Sequence, residues 1–343
     1  MSSVAVRKTD FTSSVEDMIH ENVVYGVKEK HPGFAFDRLF AAEELHLDYD
    51  ITLLPPNKFL LPSQDVLVKF TLDRKKVIHT QAEPKPCIIL GIHPYDLHAV
   101  KLLDAVFAGD RVDVHYRARR NATTIIGTDC LHPWPYSFAA SMGTALPPKI
   151  FDLWLTDLGT EFLIEVSTSR GNDLCERYFN ARSASNFLLE QRDKLRREAL
   201  ERYQLAVKVP PREIPEILDK GWDNPLWEEL GEKCFSCGSC TMVCPTCVCF
   251  DVQDSIELNL KKGERRRIWD SCMFDAFDKV ASGENFRPTG TERLRHRLYR
   301  KGKYMLERWG ELGCVGCGRC IHACLVDIAS PVYAYNRLAE EGR

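Results

Sequence analysis

The chain has 343 residues, with 46 Lys and Arg against 49 Asp and Glu, so its formal charge of −3 marks no global field for nucleic acid or a membrane surface. A hydrophobic share of 44% beside 28% charged residues excludes a disordered or fibrous chain and supplies a core, at a length suited to about two domains. No run of about 18 apolar residues could cross a bilayer and the start lacks a secretory core segment, so no membrane insertion is expected and the cytoplasm is the expected compartment.

Ser13 and Glu16 form an S-x-x-E start signal that predicts a helix running on through Lys30, with His31-Pro32-Gly33 as its stop. VLVKFTL at 66–72 alternates as a half-buried strand, while CIILGI at 87–92 and TTIIGT at 123–128 read as strands buried on both faces. Between the latter two, DLHAVKLLDAVF at 96–107 places Leu97, Val100, Leu103 and Val106 on one side of a helix. A β-rich piece, KIFDLWLTDL and TEFLIEVST, follows at about 149–168. A long surface helix is predicted over 185–208, with Leu188, Leu189, Leu195, Leu200 and Leu205 among many charges. Pro210, Pro211 and Pro215 in VPPREIP then break the pattern and mark a domain boundary.

Of fourteen cysteines, eleven fall between Cys234 and Cys324; the others are Cys87, Cys130 and Cys175. In a reducing cytosol such density points to metal or redox chemistry rather than to disulfides. CFSCGSCTMVCP carries Cys234, Cys237, Cys240 and Cys244 before Pro245, and CVGCGRCIHAC carries Cys314, Cys317, Cys320 and Cys324. Both runs are C-x2-C-x2-C-x3-C. Three thiolates at this spacing wrap one iron–sulfur cube, and the fourth ligates the other cube. The expected ligand sets are therefore crossed: Cys234, Cys237, Cys240 and Cys324 for a first [4Fe–4S] cluster, Cys244, Cys314, Cys317 and Cys320 for a second. Gly238, Ser239, Gly316 and Gly318 let the backbone approach the sulfides. Zinc is the competing occupant, but it has no use for a third thiol at the same spacing in both runs. Leu325 stands where a proline normally follows the last cysteine, which frees the local turn without removing a ligand.

The 69 residues between Cys244 and Cys314 carry Cys247, Cys249 and Cys272. These three could complete a further metal centre with a ligand from elsewhere, or lie beside the clusters as buried thiols; the lack of a four-ligand spacing favours the second. Trp269, Phe274 and Phe277 are expected to pack there and keep water out. The basic runs at 261–269 and 292–308 read first as solvated faces, next as a docking face for an acidic partner, and last as a nucleic-acid patch, for which no module is present. His93, His98 and His132 lack partners and are expected to be structural. There is no G-x-G-x-x-G, P-loop or metalloprotease helix, so catalysis by this chain alone is not expected. The fold class predicted is α+β: a mixed α/β scaffold and docking domain at 1–209, then a helical dicluster ferredoxin-like domain at 210–343 with a long insert at 245–313.

GIHPYDLHAVKLLDAVF at 91–107, CPTCVCFDVQD at 244–254, RRIWDSCMF at 266–274, ENFRPT at 284–289 and CVGCGRC at 314–320 make the whole chain resemble the beta subunit of cytosolic sulfhydrogenases and the related A subunit of anaerobic sulfite reductase. The resemblance implies an electron-relay subunit between a flavin-containing NAD(P)H-oxidising subunit and a catalytic partner, foremost a cytosolic [NiFe] hydrogenase. A relay in an anaerobic sulfite reductase or heterodisulfide-reductase-type complex is the alternative; a reading of another class makes Cys247, Cys249 and Cys272 a catalytic thiol or metal site. Members similar to this chain usually have cysteine where Tyr95 stands and Cys-x-Cys where Ser137, Phe138 and Ala139 stand, which with Cys130 would hold another cluster. Here only Cys130 remains, and one thiol cannot hold a cube, so that site is expected to be empty of metal. Cys87 and Cys175 are expected to be ordinary thiols.

Overall fold

The computed structural model describes residues 2–72, 76–80 and 82–342. Strand β1 (Ser2–Arg7) opens the chain and helix α1 (Lys8–Glu21) follows, burying Phe11, Val15 and Met18. The helix expected from Ser13 to Lys30 is thus displaced at both ends. Ser13 lies inside α1, its hydroxyl donating to the Thr9 carbonyl at 3.3 Å instead of capping. Past Asn22 the β-branched VV pair turns the chain into β2 (Val23–Lys30).

The N-terminal half continues with β3 (Gly33–Arg38), β4 (Gln64–Thr71), β5 (Lys76–His79), β6 (Cys87–Ile92), α2 (Pro94–Phe107), α3 (Val114–Ala122), β7 (Thr123–Thr128), β8 (Leu153–Asp157), β9 (Glu161–Val166), α4 (Ser169–Tyr178), β10 (Arg182–Ser183) and α5 (Asn186–Glu201). Eight strands form one sheet in the order β10-β1-β9-β8-β7-β6-β2-β3, parallel from β8 to β2 and antiparallel at both edges. β6 and β7 sit in the middle, covered on one face by α1 and α4 and on the other by α2 and α3. That double cover explains their unbroken apolar runs. Leu97, Val100 and Leu103 are buried in this core, whereas Val106 is half-buried.

Helix α5 stops at Glu201, short of the expected residue 208, because the following backbone is claimed elsewhere. Val207 donates its N–H to the Ser141 hydroxyl at 3.0 Å and Lys208 to Asn336 Oδ1 at 2.7 Å. Beyond lie α6 (Ile214–Lys220), with Pro215 in its first turn, then α7 (Leu226–Glu232) and α8 (Ser239–Met242). After β11 (Phe250–Ile256) and β12 (Lys262–Trp269) come α9 (Gly290–Tyr299), a π-helical turn (Arg300–Tyr304) and α10 (Met305–Trp309). Helices α11 (Arg319–His322) and α12 (Pro331–Glu341) end the chain.

Strands β11 and β12 leave the helices and join β4 and β5 in an antiparallel sheet ordered β11-β12-β4-β5. A sheet begun near residue 64 is therefore completed about 190 residues later, by strands on the far side of the expected boundary at 209/210. The basic run at 261–269 is strand β12 of this pair and not a solvated helix face. Arg267 is buried against Asp65 at 3.0 Å and Asp113, Arg265 pairs with Asp254 at 2.7 Å, and Arg266 pairs with Glu264. Among the described residues, no helix is long and apolar enough to cross a membrane.

Candidate metal centre

The two cysteine runs fold alike because they are built alike. In each, a glycine in the left-handed region (Gly238, φ 76°; Gly318, φ 81°) turns the loop into a one-turn helix, α8 or α11, that carries the third cysteine. Glycine is the residue that takes this φ without strain. The fourth cysteine, Cys244 or Cys324, follows just after. Because α8 and α11 pack together, each fourth thiol reaches across to the other loop. Cys234, Cys237, Cys240 and Cys324 line one cavity; Cys244, Cys314, Cys317 and Cys320 line a second.

These cavities fit inorganic clusters. Burial pushes the Cys240 and Cys314 thiols up to about 12, and Cys317 higher still, so as free groups they stay protonated; a coordinating metal replaces that proton outright. Among the described residues, no three His, Cys, Asp or Glu side chains come close enough to hold one metal ion. Four thiols spread around a cavity suit a multi-atom core and not a single zinc ion. The backbone N–H groups of Ser236 and Ile328 donate to the Cys234 and Cys324 sulfurs, both at 3.4 Å, the kind of contact that tunes a cluster's potential. The walls of the first cavity are otherwise apolar, with Met273, Leu294, Val326 and Ile328 excluding water. Leu325 also lines it, where the missing proline would stand.

Helix α9 starts at a capping box formed by Thr289 and Glu292 and carries Arg293 and Arg297 on one face. The π-helical turn keeps Lys301 on that face, and all three cations are buried. This side of the 292–308 run is therefore not the solvated face that its charge suggests. Arg293 braces the first cysteine loop, donating to Ser236 Oγ at 3.0 Å and to the Arg287 carbonyl at 2.8 Å. Arg297 donates to the Ala329 carbonyl at 3.2 Å and lines the second cavity. Its charge acts first on Cys240 and then on Cys320, one thiol from each cavity, and its buried Nε has no partner among the described residues. An orphaned cationic donor at the wall of a thiol cavity fits an anionic acceptor inside it. Lys301 also lines the second cavity and donates to Thr246 Oγ1 at 2.7 Å. Beside Cys317, Arg319 is fully buried on Asp96 at 2.8 Å and on the Thr52 carbonyl at 2.8 Å. The sequence signal of burial for Arg293, Arg297 and Lys301 is their four-residue spacing, which follows Leu294 and Leu298 around the same helix.

The N-terminal half cradles the second loop. Phe138 N–H and Ser137 Oγ both donate to the Gly316 carbonyl, at 2.8 Å and 3.1 Å, and Thr144 Oγ1 donates to the Val315 carbonyl at 2.7 Å. A Cβ on Gly318 would stand 2.3 Å from the Tyr136 carbonyl oxygen. Tyr95, Cys130 and Ala139 pack together with Val315 and Cys317, and Phe138 enters the core of the helical half. Tyr95, Cys130 and Ala139 are thus gathered in space beside Cys317, and the volume between them is filled by rings and small side chains. Cys87 lies half-buried, 3.7 Å from the Thr123 hydroxyl, and Cys175 is buried in α4. His93 is buried with Nδ1 2.7 Å from the Tyr95 hydroxyl, His98 Nε2 lies 3.0 Å from the Leu146 carbonyl, and His132 pairs with Asp48 at 2.9 Å; none lines either thiol cavity.

In the insert, Cys247 lies against Cys244, and Cys249 against Cys272. Phe274 covers Gly238, where a Cβ would meet its ring at 2.5 Å. Trp269 departs from expectation, turning away to donate to the Leu61 carbonyl at 3.2 Å. Phe277 lies on the short turn Asp275–Asp278, outside both cavity walls.

A family model of the 4Fe–4S dicluster domain matches residues 233–328, the stretch that holds both cysteine runs. No solved structure matches the chain. The cofactors are two [4Fe–4S] clusters, and the chemistry of such a domain is electron transfer. Sulfhydrogenase 2 subunit beta of Pyrococcus furiosus is 33% identical over 303 residues, covering 88% of each chain. With the likeness running through the N-terminal sheet as well as the cysteine loops, the chain belongs to the sulfhydrogenase beta-subunit family.

Proposed function

We propose that Cys234, Cys237, Cys240 and Cys324 hold one cluster and Cys244, Cys314, Cys317 and Cys320 the other, and that the pair relays single electrons inside a cytoplasmic complex. The donor is a flavin-containing NAD(P)H-oxidising subunit and the acceptor a [NiFe] hydrogenase, with flow in either direction. The observation that carries this reading is the pair of four-thiol cavities, each completed by a thiol from the opposite loop. Their exposure supports two docking ends. At the first cavity Phe235 and Leu325 are 69% and 72% exposed beside the exposed Cys237. At the second, a surface groove lined by His98, Thr144 and Leu312 reaches Cys314. The relative's name describes a subunit, which supports a multisubunit setting.

Bound clusters supply one-electron redox chemistry. The chain's own part is to hold them, keep water from them with Met273, Leu294 and Phe138, and offset their negative charge with Arg297 and Lys301. Electron transfer needs no proton shuttle, and the buried cations limit the rearrangement that a change of charge would otherwise cause. Anaerobic analysis should find about eight irons and eight acid-labile sulfides per chain. Twelve irons would contradict an empty N-terminal site; zinc without sulfide would remove the cluster assignment. A redox titration followed by electron paramagnetic resonance should show two reversible, magnetically interacting centres, whereas a single irreducible centre would sink the relay. Untagged partners that copurify decide between a hydrogenase and a sulfite or heterodisulfide reductase.

A further inference from the structure

We infer that Cys249 and Cys272 form a redox-active pair that closes to a disulfide and exchanges two electrons with the two clusters. The inference rests on the cluster assignment above for its electron source, but the pair itself is read from geometry. Neither thiol lines either cavity. The β11–β12 ribbon brings them together: Cys249 immediately precedes β11, its carbonyl accepts the Asp270 N–H at 3.0 Å, and Cys272 lies two residues further on. The Cys272 thiol and its backbone N–H lie within interaction reach of the Cys249 sulfur. Two facing thiols need only a small approach to bond, whereas a single metal ion needs at least a third donor, and among the described residues no three such side chains come close enough to hold one ion.

The pair also stands between the cavities. On one side Ser271, next to Cys272, shares a 2.7 Å hydrogen bond with Thr241 of the first loop, and Met273 lines the first cavity. On the other side Cys247, on which Cys272 acts through its charge, abuts Cys244 of the second cavity. The two sulfurs differ as exchange partners should. Cys272 is 2% exposed, while Cys249 is half-buried. The hydrogen bond from Cys272, with help from Arg300 and Lys301, holds the Cys249 thiol down to about 6, so Cys249 is the thiolate near neutral pH and Cys272 keeps its proton. In the reducing direction the S–S bond breaks as two electrons arrive, one from each reduced cluster, and one proton goes to Cys272 while Cys249 leaves as thiolate. In the oxidising direction the bond forms, that proton is released and each cluster gains one electron. The pair would thereby couple two-electron thiol chemistry to one-electron carriers.

The test uses the full chain with its clusters, held anaerobically in dithiol/disulfide buffers between about −350 and −150 mV, then acid-quenched, alkylated and mapped by mass spectrometry. A peptide linking residue 249 to 272 should accumulate as the potential rises while iron stays at about eight per chain. Dithionite titration of the oxidised protein should consume about four electrons, two for the clusters and two for the disulfide, against about two in C249S or C272S. Both thiols alkylating fully at every potential, with clusters intact, would overturn the pair. So would metal beyond eight irons that disappears in both variants, since that makes the thiols ligands. Iron far below eight in the wild-type chain would instead fault the cluster assignment, and the 249–272 link would still be scored on that chain.

Discussion

Replacing Arg297 by methionine tests whether a buried positive charge sets the potentials of both clusters. The guanidinium is 3% exposed, and the thiols its charge acts on most are Cys240 and Cys320, one from each proposed ligand set. Opposite unit charges 4 Å apart attract by about 4 kcal/mol at an effective dielectric constant of about 20, and the attraction falls with distance; spread over a thiolate and its cluster, roughly 2 kcal/mol per added electron remains. At about 1.4 kcal/mol and 59 mV per tenfold change, this amounts to roughly 80 mV for a one-electron step. A positive charge favours the extra electron, so R297M should lower both potentials by about that amount, while R297K, which keeps the charge and loses the forked geometry, should shift them by less than a third as much. The assay is an anaerobic titration followed by electron paramagnetic resonance and normalised to iron and sulfide content. R297M protein with full clusters and both potentials within about 20 mV of the parent would refute the electrostatic account. A shift confined to one cluster would refute the placement of Arg297 between them.

Gly318→Ala should cost far more than Gly143→Ala, although both glycines have positive φ. The added Cβ meets the Tyr136 carbonyl oxygen at 2.3 Å in the first case and nothing within 4 Å in the second. About 1 kcal/mol of backbone strain is expected for G143A and several times that for G318A, with loss of the second cluster; equal changes in melting temperature would argue against the cradle. Arg319→Gln leaves Asp96 buried without its cation and should destabilise by about 3–5 kcal/mol, while R319M combined with D96L should recover more than half; absence of coupling in that double-mutant cycle would contradict the buried pair. Burial lowers His93 to about 3 and His296 to about 4, so both stay neutral in the fold while the unfolded chain takes up protons near 6.5. Their contribution is full above pH 6.5 and is lost as pH falls toward 4 and then 3. In anaerobic denaturation, H93N should show a shallower acid slope than the parent, and an unchanged slope would remove His93 from the account.

The parallel strands at 87–92 and 123–128 are legible because burial on both faces leaves an unbroken apolar run that needs no knowledge of neighbours. The S-x-x-E signal misplaces helix α1 because a capping signal is only three residues deep. Ser13-x-x-Glu16 satisfies that signal inside a helix whose true start, Lys8, follows directly from a strand. The end of α5 is not legible for a different reason: Ser141 and Asn336, distant in the chain, take the N–H groups of Val207 and Lys208.

The two C-x2-C-x2-C-x3-C runs announce clusters without any structure, since wrapping a cube with three thiolates is a local demand met by spacing alone. Charge is the opposite case. Arg297 and Lys301 read as members of a solvated basic stretch, because a side chain's burial depends on what folds over it. Here the Ala329 carbonyl takes Arg297 and Thr246 takes Lys301, while Arg319 is held by Thr52 and Asp96, more than 200 residues upstream. The facing of Cys249 and Cys272 is likewise decided by strand pairing, which brings distant residues together through backbone hydrogen bonds that carry no side-chain signature.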